Sequence, residues 1–282
     1  MKIPVNGGFS CPNRDGTKST TGCLFCDNRS FSPVALQPEK SPKEQFVEAM
    51  SRSRKSAVFI PYLQPFSNTY GDVAVLRSVY EPLLEIDGVV GLAIGTRPDC
   101  FSEPVYTYLA ELSTRTYLSI ELGLQSSHDR TLVSCNRGHT FKEFTDAVFT
   151  LSSLGIESVA HVMLGLPGET PEMMVTTAQQ LAELPLSGVK MHQLMIIAGT
   201  EYEALYRKNE IRLFSVEEYA EVLSTFLGHL RPDQHIHRIV ANSTVENGLI
   251  APDWSADKMG TLRKLQHYMN MHAVRQGEWY RR

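Results

Sequence analysis

Long apolar runs are missing from this sequence. No stretch approaches the roughly 18 apolar residues that a membrane-spanning helix needs, and the chain reaches Asn6, Gly7 and Gly8 before a secretory signal could form. A cytoplasmic protein is the expectation. Charge of one sign is equally scarce: 27 Lys and Arg stand against 31 Asp and Glu, a formal net charge of −4, so no overall cationic field announces a nucleic-acid binder. Only the tail leans basic, with Lys258, Arg263, Lys264, Arg275, Arg281 and Arg282 against Glu278 alone. A solvated terminal helix explains that run as well as an RNA contact does. Internal repeats, low-complexity segments and linkers rich in Gly, Pro or Ser are absent, which favours one continuous domain. Cysteine is sparse and odd in number, at five, yet three of the five fall within the first 26 residues. In a reducing compartment such crowding favours metal binding over disulfides.

What is present is an alternation of short apolar runs with amphipathic stretches, recurring about six times, the pattern of β-α units around a parallel sheet. It predicts strands at Lys2–Val5, Ala57–Leu63, Val89–Gly95, Tyr117–Gly123, Ser158–Leu164 and Val189–Ile197, and helices near Pro42–Arg54, Val73–Leu84, Glu103–Leu112, Phe141–Leu154 and Pro171–Leu184. Right-handed crossovers of this length curl toward a barrel, and the polar motifs fall just after the strands, where barrels place their active sites. From Val216 the pattern changes to a helix at Val216–Leu230, a strand at His235–Val240 and a helical tail from Met259. The expected fold is therefore α/β: a partial TIM-like barrel of six β/α units over residues 1–200, with a C-terminal α/β extension over 201–282 packed on it.

Cys11, Cys23 and Cys26 are separated by eleven and then two residues, in a loop marked by Gly16 and Gly22. Sulfur suits zinc and iron–sulfur sites alike, and both normally take four ligands. Cys100 and Cys135 lie in separate β-α units, so nothing nearby supplies a fourth ligand. An open position marks a reactive site rather than a structural one. Spacing alone leaves open a zinc loop with a distant fourth ligand and a set of plain buried thiols.

The loop Cys11-Pro-Asn-Arg-Asp-Gly-Thr, followed by Gly-Cys23-Leu-Phe-Cys26, is similar to the cluster loop of the radical S-adenosylmethionine (SAM) superfamily. The match extends through Gly95-Thr96-Arg97-Pro98-Asp99-Cys100, Glu121-Leu-Gly-Leu-Gln125 and Asn136-Arg137-Gly138-His139, and there resembles the YhcC-type family, near the radical domain of the Elongator catalytic subunit. It implies a [4Fe-4S] cluster on Cys11, Cys23 and Cys26 whose open iron is chelated by S-adenosylmethionine, Phe25 beside the adenine, and an electron donor such as a flavodoxin or ferredoxin. It also implies that relatives carry a further N-terminal segment. The first gap is longer than the superfamily's commonest loop, as it is in Elongator-like relatives.

Polar residues at the other strand ends are candidates for holding the cosubstrate. Ser119, Glu121, Gly123 and Gln125 share one strand face by the two-residue period; a carboxylate and an amide suit ribose hydroxyls and the methionine ammonium, and Gly123 leaves room. Glu121 paired to Arg97 is the competing structural reading. Gln125, Arg137 and His161 correspond in order to SAM-binding residues of the oxygen-independent coproporphyrinogen oxidase branch, but an acid there is His161 here. A core imidazole reads equally well at that position. The loop Gly165–Thr170 caps a helix at Pro171, and its glycines would also let backbone approach the adenosine. Lys190 and His192 share a face, and Gln64, Asn68 and Tyr70 follow the second strand, as substrate-side candidates. An inward lysine needs an anionic partner such as a carboxylate or phosphate; a lysine reaching solvent is the alternative. Cys100 and Tyr70 are conceivable radical-quenching donors, and core packing accounts for the cysteine as well.

The leading functional expectation is reductive cleavage of S-adenosylmethionine to a 5′-deoxyadenosyl radical that modifies a substrate. Resemblance to the Elongator domain points to tRNA, at a wobble uridine, although no acetyltransferase-like domain follows. A radical enzyme acting on a small metabolite or peptide, and a non-catalytic zinc or iron–sulfur adaptor binding RNA or protein, are the alternatives.

Overall fold

The structure is a computed structural model, and it describes residues 1–30, 32, 39–53 and 58–281. In chain order it contains β1 (Lys2–Val5), α1 (Pro42–Ser51), β2 (Ile60–Leu63), α2 (Val73–Leu84), β3 (Gly91–Thr96), α3 (Glu103–Ser113), β4 (Tyr117–Gln125), α4 (Asp129–Ser134) and α5 (Phe141–Ser153). There follow β5 (Glu157–Leu164), α6 (Pro171–Ala182), β6 (Gly188–Gln193), β7 (Ile196–Ile197), α7 (Glu201–Arg207), α8 (Val216–His229), β8 (His235–Arg238), β9 (Leu249–Ala251) and α9 (Lys258–Met271). Seven parallel strands, in the order β1-β2-β3-β4-β5-β6-β8, curl into a half-barrel, and β7 pairs antiparallel with β9.

The two faces of the sheet divide the residues by polarity. Along β4, Leu118, Ile120, Leu122 and Leu124 are buried in the main apolar core with the helices, while Glu121, Gly123 and Gln125 line the cavity on the concave side. Helix starts are fixed by local chemistry. Ser41 with Glu44, Thr140 with Glu143 and Ser215 with Glu218 form capping boxes, and Thr170 caps α6 with Pro171 in its first turn.

The expected elements are present, with three differences of note. The long sixth strand breaks after Gln193: Leu194 still donates its N–H to Leu164 O at 3.0 Å, and then Ile196–Ile197 turn to pair with β9. A continuous apolar run carries no mark of such a change of partner. The C-terminal strand ends at Arg238 and joins the main sheet in parallel beside β6, so the barrel gains a seventh strand. Helices α4 and α7, of six and seven residues, are too short for periodicity to reveal. The expected helix end at Arg54 and strand start at Ala57 lie outside the described residues.

Candidate active site

Cys11, Cys23 and Cys26 all line one cavity of about 370 Å³ on the concave face of the half-barrel. All three are free thiols. The loop carrying them is held against the turn that follows α4. Asn13 Nδ2 donates to Asn136 O at 2.6 Å and Arg137 O at 3.1 Å, and Asn136 Nδ2 donates back to Gly22 O at 2.7 Å. Asn136 and Gly138 both sit in the left-handed region, at φ 52° and 74°. A Cβ on Gly138 would lie 2.4 Å from Asn13 Oδ1, so this position needs glycine for space as well as for its torsion. Arg97 completes the clamp: Nη1 donates to Arg137 O at 2.6 Å while Asp99 pairs with Nη2 at 2.8 Å. That ion pair holds the Asp99 carboxyl down at about 2 against its burial.

The clamp aims donors at sulfur. Arg137 Nη1 lies 3.5 Å and Asn13 Nδ2 3.6 Å from Cys23 Sγ, and Arg14 donates to Cys26 O. Burial and the neighbouring Cys23 push the Cys26 thiol up to about 12, with Arg14 and Arg137 pulling the other way. Among the described residues no group of three or more His, Cys, Asp or Glu side chains converges on the position of a single metal ion. At the end of β4, Gln125 has φ 80°, and its buried Oε1 has no hydrogen-bond partner. Three thiols around one cavity, with an orphaned acceptor beside them, fit a cluster and a polar cosubstrate.

The remaining expected residues are also brought here: Phe25, Glu121, Gln125, Arg137 and His161 line the same cavity, as do Gln64, Lys190 and His192. Their partners differ from expectation in several places. Glu121 pairs not with Arg97 but with Lys2 on Oε1 at 2.7 Å, and on Oε2 with His161 Nε2 at 2.6 Å and Lys190 at 2.7 Å. Burial opposes its charge, but these three partners outweigh it and hold the carboxyl far below the ordinary 4.5. His161 is pushed down to about 4 by burial and by Lys190, so near neutrality it donates its Nε2 proton to Glu121. Lys190, lowered to about 8 mainly by burial, takes Glu121 and Tyr62 OH as partners rather than reaching solvent. The space at Gly123 is filled from within: Arg137 Nη2 and Nε donate to Gly123 O at 2.5 and 3.2 Å, and a Cβ there would lie 2.6 Å from Nη2. Gly123→Ala should therefore dislodge Arg137 and raise the KM for S-adenosylmethionine about tenfold, with a smaller change in kcat, in a steady-state assay of 5′-deoxyadenosine release.

Three other candidates serve the frame. Asn68 Nδ2 donates to the carbonyls of Leu63, Pro65 and Gly95, and Tyr70 OH bonds Thr17 Oγ1. In the loop before α6, Glu169 bonds Ser126, and none of residues 165–170 lines the cavity. Asn13, Lys2, Tyr62 and Arg238 were not legible as site residues, because nothing local marks a side chain that reaches across a barrel.

A parallel half-barrel with three thiols in the loop after its first strand defines a radical SAM enzyme, and the corresponding family models match the chain: the Radical SAM superfamily over residues 11–181 and the Radical_SAM C-terminal domain over 186–271. The chain belongs to the radical SAM superfamily. It is 37% identical to the uncharacterized protein YtqA of Bacillus subtilis over all of its own length and 88% of that protein's, and 33% identical to YhcC of Escherichia coli over 97% and 88%. A tRNA uridine(34) acetyltransferase of Methanocaldococcus infernus is 31% identical over 48% of this chain, which corresponds to 25% of that protein. The fold resembles that of M. infernus Elp3 lacking its N-terminal 46 residues, with TM-score 0.73 and 18% identity; the match covers 98% of this chain and spans 64% of the Elp3 chain. No helix among the described residues is long and apolar enough to cross a membrane.

Proposed function

We propose that Cys11, Cys23 and Cys26 hold a [4Fe-4S] cluster and that the protein uses it to cleave S-adenosylmethionine reductively for the modification of a substrate. The observation that carries this reading is the convergence of three free thiols, the donors on Cys23 and the orphaned Gln125 Oε1 on one cavity. When bound, the cluster supplies one electron to break a carbon–sulfur bond of the cosubstrate and release a 5′-deoxyadenosyl radical. The chain's own residues do the positioning. Arg137 directs Nη1 at Cys23 Sγ and stays in place through Gly123 O, Gln125 offers an acceptor to a cosubstrate hydroxyl or ammonium, and Phe25 lies at the cavity beside Tyr202. His161 and Glu121 contribute to cosubstrate binding as one hydrogen-bonded unit rather than as separate ligands. The electron comes from a small carrier such as a flavodoxin or ferredoxin.

For the substrate, tRNA at the wobble uridine is the reading supported by the similarity to a protein named as a tRNA uridine(34) acetyltransferase. Two experiments test the proposal at its two levels. Anaerobically reconstituted protein with dithionite and S-adenosylmethionine should yield 5′-deoxyadenosine; none would reject the chemistry. Mass spectrometry of nucleosides from total tRNA, with and without the gene, should show a modified uridine lost in the deletion. An unchanged profile would reject tRNA while leaving the chemistry standing.

A further inference from the structure

The cavity holds more positive charge than the protein pairs. Its lining carries Arg14, Arg97, Arg137, Lys190, Arg238 and Lys258, with Glu121 as the only acid among the described lining residues. At the cysteine end the cations have work: Arg97 is paired with Asp99, and Arg14 and Arg137 face the thiols and their loop. At the other end, Lys190 and Lys2 share Glu121. Lys258, exposed at the start of α9, and Arg238 are left over, and of the two only Arg238 is withdrawn from solvent. It ends β8 beside Lys190 in strand register, its Nε is buried without a hydrogen-bond partner, and among the described residues no hydrogen bond or ion pair engages its guanidinium. Its electrostatic neighbours are Tyr62, Tyr219 and Glu121, not the cysteines, and burial lowers its affinity for the proton.

A largely buried guanidinium without an anion is costly, and natural sites keep one where a ligand supplies the missing charge. Among the described residues its one acidic neighbour, Glu121, is already shared by Lys2, His161 and Lys190. Tyr219 OH donates to Ile239 O at 2.5 Å, and His192 Nδ1 lies 3.0 Å from Gln193 O. Both His161 and His192 are held neutral, with Arg238 among the causes in each case. Lys190 has used two of its three N–H groups, on Tyr62 and Glu121, and keeps one. We propose that Arg238, assisted by Lys190, is the oxyanion-binding end of the substrate site and takes a carboxylate or phosphate group of the substrate while S-adenosylmethionine occupies the cysteine end. A planar fork is suited to either oxyanion. The division of the cavity rests on the radical SAM reading above; the demand for an anion at Arg238 rests on the charge count and geometry alone.

The test is calorimetric titration of the anaerobically reconstituted holoenzyme with inorganic phosphate and with malonate, at constant ionic strength in chloride, with and without saturating S-adenosylmethionine. At least one of the two should bind saturably in both conditions, and which one does separates a phosphate-bearing substrate from a carboxylic acid. Arg238→Gln should weaken that binding about tenfold or more, Arg238→Lys should fall between, and the exposed Arg263→Gln should match the parent. Absence of saturable binding by the parent protein overturns the inference even if the variants fold poorly. So does binding that Arg238→Gln leaves intact, or binding that S-adenosylmethionine displaces one for one, which would give the guanidinium to the cosubstrate. Measuring 5′-deoxyadenosine in the same preparation keeps the two claims apart. Its formation without anion binding sinks this inference alone, and anion binding without its formation supports this inference and sinks the radical reading.

Discussion

Replacing Cys11, Cys23 or Cys26 singly with alanine should abolish 5′-deoxyadenosine formation and strip most of the iron from anaerobically purified protein, whereas Cys100→Ala and Cys135→Ala should retain both. The contrast follows from where the thiols sit. The first three line the cavity, and Cys100 and Cys135 do not. Those two are buried in the protein interior away from the cavity, where they have no access to a bound cluster. On the proposed assignment a cluster short of a protein ligand would have no spare donor to lose, so removing any one of the three would not be partial damage. Iron quantification and chromatographic detection of the nucleoside read the two effects separately. Activity that survived any of the three substitutions would break the assignment of ligands.

The second large effect is on stability. Glu121→Gln should cost about 3–5 kcal/mol, because it leaves Lys190 and Lys2 facing a neutral amide inside the barrel, and should lower Tm by roughly 6–15 °C. The side chain of Glu121 is 1% exposed and that of Lys190 12%, so water does little to replace the lost partner. Adding Lys190→Met should recover part of the loss, since the pair is then removed rather than broken. The same group sets an acid limit. Its folded-state affinity for protons lies far below the ordinary 4.5, so the stabilisation it gives is complete above that value and is lost progressively as pH falls below it. Urea titrations between neutral pH and pH 3 should show a steeper fall for the parent protein than for Glu121→Gln. Equal slopes would mean that Glu121 does not anchor the network.

Much of this site was legible in the sequence because its elements are local. Cysteine spacing and the glycines around it marked the cluster loop, and the two-residue period put Glu121, Gly123 and Gln125 on one face, which the structure keeps. What could not be read is who meets whom across the barrel. Lys2 and Glu121 are 119 residues apart, yet they are in contact. Asn13 and Asn136 are separated by 123 residues and lock the cluster loop to its turn. Arg238 stood in a segment assigned to an extension, and only its pairing beside β6 brings it to the cavity. Gly123 and Lys190 show one further competition that a strand pattern does not reveal. A residue type at a strand end shows what could be bound, but the protein's own side chains compete for the same space and charge, and here Arg137 and Glu121 claim them first.

The most direct measurement is the electron paramagnetic resonance spectrum of the reduced holoenzyme before and after addition of S-adenosylmethionine. A cluster held by three cysteines must change its spectrum when the amino and carboxylate groups of the cosubstrate take the fourth position on iron. A spectrum indifferent to the addition, or purified protein containing tightly held zinc and no cluster, would contradict the account.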